Sequence, residues 1–139
     1  MPFIQLDNIQ KTYRARHREV HALNNLNLEI EENAFIVVKG PSGSGKTIRL
    51  FTLGGMLRPT NGRVLIDGHD LYAMAEPQRA HFRACTLGFV FQLFHLVPYL
   101  NVRDNILLAQ GYGDRQARDT RTDDLLAKLN MTAREAHRP

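Results

Sequence analysis

Apolar and polar residues alternate from Phe3 to Asp7, and Leu26, Leu28 and Ile30 alternate with Asn25, Asn27 and Glu29. A period of two sends successive side chains to opposite faces, so both stretches predict strands and the first third of the chain reads as β structure. Glu31-Glu32-Asn33 predicts a turn. Phe35-Ile36-Val37-Val38 is apolar without interruption, the pattern of a short strand buried on both faces of a parallel sheet. Residues 48–57 have the length and composition of a helix, stopped by Pro59-Thr60-Asn61-Gly62. Residues 63–67 predict a further strand ending at a Gly68 turn, residues 76–84 a short polar helix, and residues 87–91 another strand. Helices are predicted over 101–110 and 118–130. In the second of these, Leu125, Leu126 and Leu129 form an apolar stripe opposite Asp119, Asp123 and Lys128. No repeat, low-complexity tract or linker interrupts the order, which is that of an α/β fold.

The length of 139 residues suits one domain, and 43% apolar with 23% charged residues is enough to build a core. A single cysteine, Cys85, excludes an intrachain disulfide framework and a four-cysteine zinc site, and reads as a small buried filler. No apolar run reaches membrane-spanning length, and the first residues have neither a basic n-region nor an apolar h-region. The expectation is a soluble chain of a reducing compartment. Formal charge is +4, with 18 Lys and Arg against 14 Asp and Glu. The cations scatter; the densest cluster, Arg14-Ala15-Arg16-His17-Arg18, is followed at once by Glu19. It reads as a solvated loop, or as steering for a polyanion such as a nucleoside triphosphate. No groove-reading motif accompanies the charge, so no nucleic-acid partner is expected.

The strongest signal lies between the apolar run and the first helix. Gly40-Pro41-Ser42-Gly43-Ser44-Gly45-Lys46-Thr47 satisfies G-x-x-x-x-G-K-S/T at every fixed position. Glycines at 40, 43 and 45 let backbone N–H groups converge on an anion, and the following helix adds partial positive charge at its N-terminus. Lys46 supplies an ammonium for β and γ phosphates, and the Thr47 hydroxyl a ligand for Mg²⁺. The loop by itself establishes only nucleotide dependence.

The flanking residues resemble the nucleotide-binding domain of ABC transporters. Lys11-Thr12-Tyr13 resembles the A-loop of that family, and Val20-His21-Ala22-Leu23 with 26–30 the strand leading to the phosphate loop. Leu53-Gly54-Gly55, Arg58-Pro59-Thr60-Asn61-Gly62 and Val64-Leu65-Ile66-Asp67-Gly68 follow at the family's spacings. Leu87-Gly88-Phe89-Val90-Phe91-Gln92-Leu93-Phe94-His95-Leu96-Val97-Pro98 resembles the Q-loop, continued by Asn101-Val102-Arg103-Asp104-Asn105-Ile106. The wording is closest to lipoprotein-releasing and macrolide-exporting ATPases and their cell-division relative. The resemblance implies a P-loop NTPase core of ABC type with an N-terminal antiparallel β part, C-terminally truncated, so that residues 1–139 form a partial nucleotide-binding domain. It implies ATP and Mg²⁺ as ligands. Tyr13 would stack on adenine, Gly40, Pro41, Ser42, Gly43, Ser44, Gly45, Lys46 and Thr47 would hold the phosphates, and Thr47 and Gln92 would contact Mg²⁺ and water. Implied partners are a transmembrane permease subunit and a second nucleotide-binding subunit, on the cytoplasmic face of the inner or plasma membrane.

Each of these residues also has a plainer reading. Tyr13 has the plainer reading of a strand-end aromatic packing on the sheet and Gln92 that of a polar strand terminator, but the A-loop and Q-loop readings are the ones favoured. Phe91, Phe94, Leu96, Pro98 and Tyr99 are either core or a surface receiving the permease, and His95 reads as a surface histidine. Thr47 stands for the family's usual Ser and keeps the hydroxyl. Ile48 stands for a Thr that contacts the α-phosphate, a loss of about 0.5–1.5 kcal/mol. Arg49 occupies an apolar position, where it is either buried at a cost or turned outward without effect. Asn33 replaces a turn glycine, which its tolerance of the left-handed region permits. The family's signature, Walker B and switch histidine do not occur before Pro139. Neither Asp67 nor Asp70 closes an apolar strand as an Asp-Glu pair, so no catalytic base is nominated. Without Walker B the 35–38 strand is expected to carry an open edge prone to pairing or aggregation. The alternatives are a non-hydrolysing nucleotide module or an inert remnant; a small-molecule P-loop kinase leaves Tyr13 and 87–98 without an account.

Overall fold

The structure is a computed structural model and describes residues 2–16, 18–111 and 114–139. It divides into two units, one running to Arg83 and the other from Ala84 to Pro139. In the first unit β1 (Ile4–Ala15) and β2 (Arg18–Ile30) form a long antiparallel hairpin, to which β3 (Asn61–Ile66) and β4 (His69–Asp70) add in the order β2-β1-β3-β4. Inward residues alternate along these strands, and Leu6, Ile9, Leu23, Val64, Ile66 and Leu71 are each at most 3% exposed. Full burial of such side chains stabilises by about 1.5–3 kcal/mol apiece. The hairpin is irregular, with register shifts between Leu6 and Ile9, Ile9 and Lys11, and Lys11 and Thr12. Asn8 and Asn25 take positive φ, which Asn tolerates, and amide side chains repair the ladder. Asn27 Oδ1 accepts from the Asn8 N–H at 2.8 Å, and Gln10 Nε2 donates to Asn25 Oδ1 at 2.6 Å. Asp67-Gly68, φ 48° and 74°, make the two-residue turn between β3 and β4.

α1 spans Lys46–Leu53, starting and stopping earlier than the composition predicts. Gly55, at φ 70°, ends it: Gly55 N–H bonds Thr52 O and Met56 N–H bonds Phe51 O, a Schellman arrangement that satisfies the last carbonyls. Tyr72 completes this closure from outside, its hydroxyl lying 2.6 Å from Thr52 O and 2.7 Å from Leu57 O. α2 (Glu76–Thr86) matches the predicted polar helix and brings Arg79 and Arg83 to the same place. Arg79 lies over the Tyr72 ring and pairs with Glu76, and Arg83 donates to Gly55 O at 2.9 Å. Burial pushes the Tyr72 phenol up to about 12, against the pull of Arg79, Arg58 and Arg83.

The second unit is helical. α3 (Val102–Ala109) and α4 (Arg115–Lys128) are capped by Asn101 and Asp114, whose side chains accept from Asp104 N and Ala117 N. Arg103 bridges Asp119, Asp123 and Glu135, tying both helices to the segment beyond the 3₁₀ turn Thr132–Arg134.

Four expectations need correction. Residues 34–40 and 87–91 are not strands; among the described residues neither pairs with any of the four strands. An apolar run becomes a strand only where a neighbour supplies its ladder. Phe35 is accordingly 91% and Val90 fully exposed. Of the leucine stripe in α4 only Leu126 is buried; Leu125 and Leu129 face solvent. Cys85, near the end of α2, is exposed rather than a buried filler. Within the basic cluster, Arg14 and Arg18 belong to β1 and β2, Arg14 pairs with Glu19 at 3.5 Å, and His17 lies outside the described residues.

Candidate phosphate and base site

Residues 40–47 form a curled loop entering α1. Ser44 N–H closes a turn onto Pro41 O, and Arg49 N–H makes the first helical bond to Gly45 O at 2.9 Å. Gly45 is the N-cap, at φ 80° and with no side-chain cap, so no local side chain claims the first-turn N–H groups of α1. A Cβ on Gly45 would meet the Ala22 carbonyl at 2.9 Å. That carbonyl belongs to the bulge where Lys11 pairs with Leu23 and Thr12 with His21, skipping Ala22. The hairpin thus abuts the loop at its third glycine, and only glycine fits there.

Lys46 Nζ donates to Gly40 O at 2.7 Å and Pro41 O at 2.6 Å, drawing the ammonium across the loop mouth. Thr47 is exposed, and Ser44 Oγ is buried with no hydrogen-bond partner. Uncommitted N–H groups, an ammonium held on carbonyls, an open hydroxyl and an orphaned serine oxygen together fit a polyphosphate with its Mg²⁺. Ile48, half-buried, contributes no hydroxyl. Arg49 realises neither expected extreme: it is half-buried, with its Nε sealed from solvent and without a partner.

Tyr13 stands on β1 opposite Val20, and both side chains are exposed, 43% and 44%. The Lys11 ammonium lies 5.2 Å from the Tyr13 ring centroid and donates to Arg58 O at 2.8 Å. Thr12 N–H donates to Thr60 Oγ1 and Thr60 N–H to Gln10 O, so β1 grips the segment that follows α1. The structure therefore collects Tyr13 and 40–47 in the first unit. Gln92 belongs to the second unit, exposed in a segment without regular structure. Sequence reasoning gave no role to Lys11, Ala22 or Arg58. The two-residue spacing of Lys11 and Tyr13 on a strand carried that signal for Lys11, whereas the bulge at Ala22 left none.

In the second unit Phe89, Phe91, Phe94, Leu96 and Leu108 line a groove of about 430 Å³. The Phe89 and Phe91 rings stack at 5.8 Å, and His95, at φ 50°, meets Phe91 edge-on at 5.2 Å. Asn105 shapes one wall, its amide donating to Val97, Leu100 and Asn101 carbonyls and accepting from Val97 N–H. Phe91, Phe94, Leu96, Pro98 and Tyr99 are all exposed, which removes the core reading for them.

A strand hairpin, a G-x-x-x-x-G-K-T loop and the helix it caps define a P-loop nucleotide-binding protein. The family model described as ABC transporter matches residues 23–139, and the chain belongs to that family. It is 36% identical over 140 residues to the macrolide export ATP-binding/permease protein MacB 2 of Aeromonas hydrophila, covering 99% of this chain and 22% of the relative. It is 34% identical to the lipoprotein-releasing system ATP-binding protein LolD of Paramagnetospirillum magneticum, covering 98% of this chain and 61% of LolD. A solved dimeric structure of the ATP-binding cassette MJ0796, in a post-hydrolysis state bound to ADP and Pi, superposes with TM-score 0.84 at 32% identity, over 98% of this chain and 61% of that one. The fold is that of an ABC ATPase cassette, and the chain spans at most about three-fifths of these relatives.

Proposed function

We propose that residues 1–139 form part of a nucleotide-binding domain that binds ATP with Mg²⁺ and serves an ABC transporter. The observation that carries this reading is the uncapped N-terminus of α1 behind a loop whose Lys46 is held across its mouth. Gly40, Pro41, Ser42, Gly43, Ser44 and Gly45 would cradle the phosphates with backbone N–H groups, Lys46 would exchange its two carbonyls for phosphate oxygens, and Tyr13 would offer a face to adenine. Thr47 would offer its hydroxyl to Mg²⁺, which when bound neutralises phosphate charge, and Gln92 keeps the Q-loop role that the resemblance implies. The Lys46 ammonium is satisfied without ligand, so binding exchanges hydrogen bonds and charge assistance favours the phosphate.

In the whole protein this domain would work with a membrane permease and a second nucleotide-binding copy; the dimeric structure of the MJ0796 cassette supports the second of these. The aromatic groove of the second unit supports the permease assignment, since exposed contiguous apolar surface marks an interaction site. No described helix is long and apolar enough to cross a membrane; a peripheral place on the cytoplasmic face rests on the family alone. Amide hydrogen exchange tests the site: adding Mg-ATP should protect amides of 43–48, and unchanged exchange there would reject it.

A further inference from the structure

The base platform contains a cation with no assigned role. Lys11 and Tyr13 are two apart on β1, and the ammonium sits 5.2 Å from the ring centroid. It is fixed there by its bond to Arg58 O at 2.8 Å, in the segment that follows α1. The ring keeps 43% of its surface exposed. At the other end of α1, the Ala22 carbonyl of the same hairpin stands against Gly45. The hairpin that carries Tyr13 therefore meets the phosphate-binding helix both at its start and just beyond its end.

We propose that Lys11 is a positioning residue for nucleotide binding: it immobilises the Tyr13 ring and ties it to the α1 segment, fixing the base platform relative to the phosphate loop. This rests on the reading of Tyr13 as the base-stacking residue. An anchored ring has less rotamer freedom to lose when a base stacks, and that saving appears as affinity for base-containing ligands. A cation on an aromatic face adds electrostatic hold at the ring without contacting phosphate.

The test separates base from phosphate. Affinities for Mg-ATP and for Mg-tripolyphosphate, which lacks the base, are measured on wild type, Lys11→Met, Lys11→Arg, Tyr13→Ala and the Lys11→Met/Tyr13→Ala double variant. Lys11→Met should weaken ATP about three- to fivefold and leave tripolyphosphate unchanged, while Lys11→Arg stays within twofold of wild type. In the Tyr13→Ala background Lys11→Met should have no further effect on ATP. An equal loss for both ligands would make Lys11 a general structural or electrostatic contributor and overturn the proposal. So would an ATP affinity that Lys11→Met does not change, or an undiminished effect without Tyr13. Wild-type ATP binding that Tyr13→Ala leaves intact would instead refute the base-platform reading itself.

Discussion

Tyr72 links three segments through one hydroxyl, and its chemistry gives the clearest pH prediction. Its phenol is raised to about 12 from 10, chiefly by burial. A folded pKa above the unfolded one means the native state holds the proton more tightly. The stability is complete below pH 10 and is lost as pH rises from 10 to 12. Urea unfolding of the wild type should show that decline, whereas Tyr72→Phe should be about 1–3 kcal/mol less stable at pH 8 and flat across the window. Two other residues oppose the fold locally. Thr52 is 1% exposed with an orphaned hydroxyl, and Arg49 seals an unpartnered Nε. Thr52→Val and Arg49→Leu should each raise unfolding stability by about 1 kcal/mol; a loss in either would show that a partner or packing had been removed. The phosphate-loop residues were legible in the sequence because their chemistry demands fixed types at fixed spacings. Arg49 could be read only as a conflict, since its outcome depends on how far the helix turns it toward the sheet.

At the scale of elements, local signals fared better than pairings. The polar α2, the Gly68 turn and the left-handed Asn33, φ 61°, follow from residues close in sequence. The strands expected at 35–38 and 87–91 failed because apolar content does not supply a neighbour. The long β1–β2 hairpin escaped notice beyond its alternating ends, as bulges at Asn8, Asn25 and Ala22 break the period. Phe35, Ile36 and Val37 thus stand exposed. A dye that fluoresces on apolar surface should brighten with this protein, and Phe35→Glu should dim it and slow aggregation. An unchanged signal would place the sticky surface elsewhere, with the groove around Phe94 the next place to examine.

For the whole molecule, the proposed roles fall on separate units. On the proposed function, the first holds the phosphate loop and the Tyr13 face offered to a base, and the second presents the aromatic groove and Gln92. Phe94→Asp should therefore abolish co-purification with the proposed permease partner while Mg-ATP affinity stays within twofold, since its ring is 87% exposed and supports no core. Loss of both together would mean the substitution had damaged the domain. The family was legible from sequence across nearly the whole chain, because its motifs recur at set intervals. The tie between hairpin and α1 was not, because it runs through backbone carbonyls of Ala22 and Arg58 that any residue would supply.

The central claim is that Lys46 and its loop bind nucleotide phosphate. The measurement that tests it most directly is calorimetric titration of Mg-ATP into wild type and Lys46→Ala. Removing a charge-assisted contact of about 1.5–3 kcal/mol should weaken binding roughly 10- to 150-fold. Equal affinities in the two proteins would contradict the assignment of the site.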